Sequence, residues 1–250
     1  MATLNAVFKK VFGEALEPLG FVKIKGSQPY FVRVVPGGEI IHVIACVPEQ
    51  CFKKDCQEFR IIGGVATVYR QSIDLTLNPK RNENWLTCNC GIYSNLHRSA
   101  IDDDLWDSIY RFYCKKDEES MFKEMKRSLE ATKDIMLPVL DKITDFEKCI
   151  EYRMIIGVDT NLPYDDNFGN DWASNFYNEG LLHVKTNNQE HKKLLERILA
   201  ERVLDNATLQ RAAQCYKFFN DPELHRKTIA ELERRKEANI NTLRSYGLDL

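Results

Sequence analysis

The sequence predicts an α+β fold: an N-terminal helix plus an antiparallel β-sheet in meander order, followed by a mostly α-helical C-terminal part. Three observations predict it. The apolar period is helical up to Leu19 and changes to two at Phe21. Runs of β-branched and aromatic residues, broken by glycine and proline, then succeed one another as far as Tyr93. Beyond about residue 100 the spacing turns helical.

Leu4, Val7, Phe8, Val11, Phe12, Ala15, Leu16 and Leu19 mark an amphipathic helix, stopped near Pro18 and Gly20. Strands are expected over residues 21–24, 30–35, 40–47, 59–69 and 85–93. Pro36-Gly37-Gly38 reads as the turn of a hairpin, and Gly63-Gly64 as a bulge. Asp102-Asp103-Asp104 is placed to cap a helix through Leu105, Trp106, Ile109, Tyr110 and Tyr113. The next helix covers residues 118–137, with Met121, Phe122, Met125, Leu129 and Met136 as its apolar residues and Pro138 as its end. Thr144 to Glu147 fits a capping box. Residues 159–179, rich in Asn and Asp, read as a loop or hinge, and three helices follow over about 189–204, 208–219 and 222–246. This divides the chain into an α+β domain over 1–145 and a helical region over 146–250, which can pack as one unit with the first.

Composition narrows the class. A chain of 250 residues buries enough surface to fold without a metal or disulfide, and 44% hydrophobic residues exclude a disordered polymer. The formal net charge of -2 argues against a protein that coats nucleic acid. The N-terminal residues lack the apolar stretch of a signal peptide, and no apolar run reaches the ~20 residues that span a bilayer. The expectation is a cytoplasmic protein with no membrane partner, its 8 Cys carried as thiols.

The stretch from Phe8-Lys9-Lys10-Val11-Phe12 to Leu16-Glu17-Pro18-Leu19-Gly20-Phe21-Val22-Lys23-Ile24-Lys25-Gly26 shows a helix, then Gly-Phe, then lysines before a glycine. An aromatic strand with an arginine follows in Tyr30-Phe31-Val32-Arg33, and a second core strand in Phe59-Arg60-Ile61-Ile62-Gly63-Gly64-Val65. Over roughly residues 5–145 this resembles the bacterial proteins grouped as domain of unknown function 4304. The resemblance implies the fold and a bacterial cytosolic origin. It implies no activity and supplies no catalytic residue.

Several groups of residues suggest chemistry. Cys46, Cys51, Cys56, Cys88 and Cys90, with His42, match no zinc pattern of paired Cys-x2–4-Cys. On a strand over 40–47, His42 and Cys46 share a face but lie about 13 Å apart, at about 3.4 Å per residue. Zinc holds its ligands at about 2.0–2.3 Å, so those two cannot share an ion. Cys88 and Cys90 alternate into an apolar face with Leu86 and Ile92, where a thiol acts as a small hydrophobe. The state of Cys51 and Cys56 is left open: Lys53 and Lys54 are near enough to lower a thiol pKa, but no His or acid is fixed beside them. Asp165 to Asp171 suggests a calcium loop, but its register puts Gly169 at position 5 and Phe176 at position 12, which an EF-hand does not tolerate. Neither a metal nor a cofactor is expected.

Gly-x-Ser-x-Gly, His-Glu-x-x-His and Walker-type loops are absent from the sequence. Glu124-Met125-Lys126 has the letters of a nuclease strand but sits in a helical run. Arg33, His42, Arg60, His97 and Tyr69 can line the polar face of a half-exposed sheet, with Arg33, His42 and Arg60 as the core of a small-molecule pocket. Lys23, Lys25, Lys53 and Lys54 form at most a local basic patch, and Arg234-Arg235-Lys236 is interleaved with glutamates like a solvated helix face. The loop carries Tyr164, Phe168, Trp172, Phe176 and Tyr177 among acids and Asn, the mixture of aromatic anchors and polar rim found in protein interfaces. The expected function is a non-enzymatic protein-binding or regulatory module, toxin neutralisation being one form of it. Partner-binding is assigned to Tyr164, Trp172, Phe176 and Tyr177, and nucleic acid is disfavoured. The alternative is an enzyme of unrecognised type built on Arg33, His42 and Arg60.

Overall fold

The structure, a computed structural model, describes residues 3–24, 30–49, 51, 54–69, 73, 112–145, 148, 183–202 and 206–248. Helix α1, Leu4–Leu16, starts where the Thr3 side chain accepts from the Ala6 N–H and ends in a 3-10 turn, Glu17–Leu19, that holds Pro18. Its apolar stripe is buried: Phe8 and Phe12 lie with ring centroids 4.6 Å apart, and Phe8 meets Phe31 of the sheet edge-on at 5.5 Å. Each such ring contributes roughly 1.5–3 kcal/mol relative to exposure.

The sheet is the expected meander. Strands β1 (Val22–Ile24), β2 (Tyr30–Val34), β3 (Ile40–Glu49), β4 (Cys56–Thr67) and β5 (Phe112–Lys115) lie in that order, each antiparallel to the next. At the β2–β3 turn Gly37 and Gly38 take φ of 105° and 73°, left-handed values that a side chain would oppose. Helix α2 (Glu118–Ala131), capped by Asp117, continues through a π turn, Thr132–Met136, into the short α3 (Leu137–Leu140). Met121, Met125, Leu129 and Met136 are buried as the periodicity requires.

The structure corrects four local expectations. Gly63-Gly64 is no bulge, because β3 and β4 pair one-to-one from Ile40↔Thr67 to Glu49↔Glu58. Gly63 instead makes room: a Cβ there would overlap Met136 Sδ and sit 2.9 Å from its Cγ. Tyr113 belongs to β5 rather than to a helix, since alternation buries Phe112 and Cys114 and leaves Tyr113 and Lys115 outside. Pro138 does not end its helix. The π turn before it shifts the bonding by one residue, and a proline that donates no N–H fits the first turn of α3. The carboxylate that accepts the Lys148 N–H is that of Asp145, one residue after the expected Thr144. The expected strand over 85–93, the helix start at 102–110 and the loop over 159–179 lie outside the described residues.

The helical part contains α4 (Gln189–Glu201), α5 (Asn206–Asn220) and α6 (Pro222–Ser245). Asn188 caps α4, Asp221 accepts from the N–H groups of Glu223 and Leu224 to cap α6, and Gly247 follows its end. Leu195, Ala212 and Cys215 form a small core between α4 and α5, joined by Ile198, Leu199, Tyr216 and Phe219. The chain divides into two compact units: Met1–Val68 with Ile73–Met154 and Ile240–Leu250, and Tyr69–Ser72 with Ile155–Asn239. The last turns of α6 therefore group with the first unit. Among the described residues no helix is long and apolar enough to cross a membrane.

Candidate functional site

Cross-strand register decides which sheet residues meet. Arg33 lies opposite His42, so both project from the helix-covered face that also carries Phe31 and Ile44. One Arg33 nitrogen, Nη2, donates to His42 Nδ1 at 2.9 Å and to Asp141 Oδ1 at 2.6 Å. Nη1 reaches the Leu19 carbonyl at 3.4 Å, and the guanidinium lies 4.6 Å over the Phe21 ring. On its far side, His42 Nε2 donates to the Ile143 carbonyl at 2.8 Å. A carbonyl only accepts and a guanidinium only donates, so the ring carries its proton on Nε2 and is neutral. His42 is 1% exposed, and burial pulls its pKa down to about 4, the Ile143 bond opposing that shift. Both nitrogens are occupied. In this geometry the imidazole ties the end of α3 to β3.

Arg60 does not join them. It lies opposite Val47, on the other face of the sheet, and four residues of β4 separate it from Val65, the partner of His42. That second face is not polar at its centre either: Val32, Ile41, Val43 and Ala45 are all buried. Strand β3 accordingly reads as a nearly continuous apolar run, the mark of a strand covered on both sides. Tyr69 lies past the end of β4, where its hydroxyl accepts from Lys185 Nζ and its carbonyl from Arg235 Nη1. Lys23 faces Glu17 at 4.0 Å, and Glu231 is held to about pKa 2 by bonds from Arg234 and then Arg235. His97, Lys25, Lys53, Tyr164, Phe168, Trp172, Phe176 and Tyr177 lie outside the described residues.

A buried pair of imidazoles was not legible in the sequence. Residues 183–185 form one helical turn, Asn187 takes a left-handed φ of 49°, and Asn188 turns the chain into α4. The Asn188 N–H donates to the His183 carbonyl at 2.9 Å, while its side chain accepts from the His191 N–H at 2.9 Å. This brings the His183 and His191 rings into a stack 3.8 Å apart and 9° from parallel, with the Phe219 ring 6.2 Å from His191. His183 Nδ1 and His191 Nε2 are buried without a hydrogen-bond partner. Burial lowers His183 to about pKa 4; burial and then the neighbouring His183 lower His191 to about 3. Ring lone pairs lie in the ring planes, and planes this nearly parallel meet only far from the rings. The stack as it stands therefore cannot direct both nitrogens at one ion. Among the described residues no group of three or more His, Cys, Asp or Glu is arranged to hold a metal.

Among the described residues, the large hydrophobic side chain that the sheet exposes is on β5, an end strand. Tyr113 is 52% exposed, and Lys115 projects from the same side. On the buried side, Phe112 stacks on Phe59 at 5.5 Å with the Arg127 guanidinium 4.9 Å from its ring, which holds the strand against α2. Sequence reasoning missed Tyr113 because the acidic cap at 102–104 suggested a helix running through it. It missed Asp141 and the Ile143 carbonyl because they are 108 and 101 residues from the groups they bind, a distance with no local signal. Comparison with family models, curated proteins and solved structures finds no match to this chain. The likeness of residues 5–145 to a bacterial family therefore rests on its sequence pattern alone.

Proposed function

We propose that this chain is a non-enzymatic protein-binding or regulatory module acting in the cytoplasm, and that the β5 edge belongs to its binding surface. The observation that carries the reading is Tyr113: a large aromatic side chain, half exposed, on an outermost strand pinned from behind by Phe59 and Arg127. A rigidly backed aromatic is the kind of anchor that dominates interfaces, and an outer strand also offers main-chain groups to an incoming segment. The aromatic residues Tyr164, Trp172, Phe176 and Tyr177 remain the second proposed contact region.

The alternative, an enzyme built on Arg33, His42 and Arg60, has less support. Arg33 and His42 are spent on each other, Asp141 and Ile143, and Arg60 faces the other way. The test is quantitative affinity capture of tagged wild-type protein beside Tyr113→Asp and a Trp172→Ala/Phe176→Ala double variant, all checked for native circular dichroism. A stoichiometric protein partner should be captured by wild type, and an anchor worth about 2 kcal/mol implies roughly a thirtyfold weaker complex for Tyr113→Asp. Undiminished capture by Tyr113→Asp removes β5 from the surface. A retained small molecule with no protein partner overturns the reading.

A further inference from the structure

We infer that the partner at β5 is an extended acidic segment that pairs with the outer edge of the strand through the main-chain N–H and C=O of Tyr113. The inference rests on the reading of β5 as a binding surface and names the chemistry which that surface takes.

The hydrogen-bond phase of the β4–β5 ladder carries it. Register sets Cys56 opposite Lys115 and Glu58 opposite Tyr113. Next along, the Lys116 N–H donates to the Asp55 carbonyl at 2.9 Å, which makes those two residues a directly bonded pair. Bonded and non-bonded pairs alternate along an antiparallel ladder. The main-chain groups of Phe112, Cys114 and Lys116 therefore turn towards β4, and those of Tyr113 and Lys115 turn away from it. The Lys115 N–H agrees with this phase, because it donates to Ser120 Oγ of α2 at 2.9 Å. Ser120 thus closes one outward donor. Among the described residues nothing bonds the Tyr113 N–H or C=O. An open N–H and C=O on one residue of an end strand are satisfied together by a further strand, with two bonds.

Side-chain charge selects the kind of strand. Tyr113 and Lys115 project to the same side and both are exposed. The Lys115 ammonium has no carboxylate partner among the described residues, whereas Lys116 Nζ donates to the Lys54 carbonyl at 2.6 Å. The acids that follow belong to the start of α2: Asp117 accepts from the Ser120 N–H, and Glu118 and Glu119 sit in the first turn. A strand laid against Tyr113 sets its next same-side residue beside Lys115, where opposite charge is favoured and like charge is not. Asp or Glu fits that position. A second copy of this chain would instead bring its own Lys115 to the edge.

The test selects random twelve-residue peptides, displayed on phage, on the immobilised full chain. Recovered peptides are synthesised and titrated by fluorescence anisotropy against wild type, Tyr113→Ala, Tyr113→Pro and Lys115→Glu, each checked for native circular dichroism. Alanine removes the aromatic ring alone; proline also removes the outward N–H, at an edge position where no ladder bond depends on it. The recovered peptides should carry Asp or Glu alternating with β-branched residues. Tyr113→Ala should weaken them, Tyr113→Pro should weaken them about tenfold further, and Lys115→Glu about fivefold relative to wild type. N-methylation of the peptide, one residue at a time, makes the same test without altering the protein, and one position should abolish binding. Equal loss in Tyr113→Ala and Tyr113→Pro, with N-methylation harmless throughout, would overturn the strand pairing while leaving Tyr113 an anchor. Binding undiminished in both variants would remove the β5 surface as well. Recovery of no peptide, peptides indifferent to Lys115→Glu, or a dimer of the chain alone that Tyr113→Pro dissolves would each overturn the acidic partner.

Discussion

The two units bury histidine in opposite ways. In the first, His42 has a partner on each nitrogen, a guanidinium on one side and a main-chain carbonyl on the other. In the second, His183 and His191 lean on each other through their ring faces and each leaves one nitrogen unpaired. Burial lowers all three pKa values, so the direction of the shift does not by itself distinguish the two arrangements. Hydrogen bonding does. A satisfied buried imidazole holds its neighbours in place, whereas one with an orphaned nitrogen loses about 1–3 kcal/mol of hydration with nothing in return.

Acid should separate the units most strongly. In the unfolded chain each ring takes its proton near pH 6.5; in the folded chain it does so near 4 for His42 and His183 and near 3 for His191. Between those values the unfolded state holds more protons, so stability is full above pH 6.5 and falls as pH drops towards 4. Each ring accounts for a loss on the order of 3 kcal/mol. The second unit contains two of them, stacked, and should lose hydrogen-exchange protection over 189–220 at a higher pH than the sheet does over 30–67. Simultaneous loss would show that the pair is not what limits the second unit.

Truncation should act next. His42→Ala removes one of the two acceptors of Arg33 Nη2, which keeps Asp141, takes the imidazole donor from the Ile143 carbonyl and opens a cavity, a loss of about 3 kcal/mol in urea unfolding. At the stacked pair the sign should reverse. His191→Leu keeps an apolar side chain against Phe219 and removes an orphaned nitrogen, so the urea midpoint should rise by about 1 kcal/mol of stability. A clear loss instead would mean that the nitrogen has a partner.

How much of this was legible in the sequence follows the range of the interactions. The helix of α1, strands β1 to β4 and helices α4 to α6 are written in local period and in caps such as Thr3 and Asp221, and they stand within a few residues of expectation. Gly63 was misread because its reason is Met136, over seventy residues away: a glycine that yields space to a distant side chain looks like one that bends its own strand. Tyr113 was misread because two residues outside and two inside make too short an alternation to outweigh an acidic cap upstream. Arg33 and His42 were picked out as chemical residues, but alternation supplied only their face. Their partners at Asp141 and Ile143, and hence their use as a tie between sheet and helix, come from the tertiary fold.

The decisive question is whether His42 is a structural tie or a working base, because a general base is most useful with a pKa near the operating pH. Nitrogen-15 NMR of the imidazole rings, recorded from pH 8 to 4 on the full chain, answers it. His42 should show the neutral tautomer protonated on Nε2 throughout the neutral range and begin to titrate only as the pH approaches 4. A His42 ring that titrates near 6.5, or carries its proton on Nδ1, would contradict the bonding described here and return the sheet residues to the list of catalytic candidates.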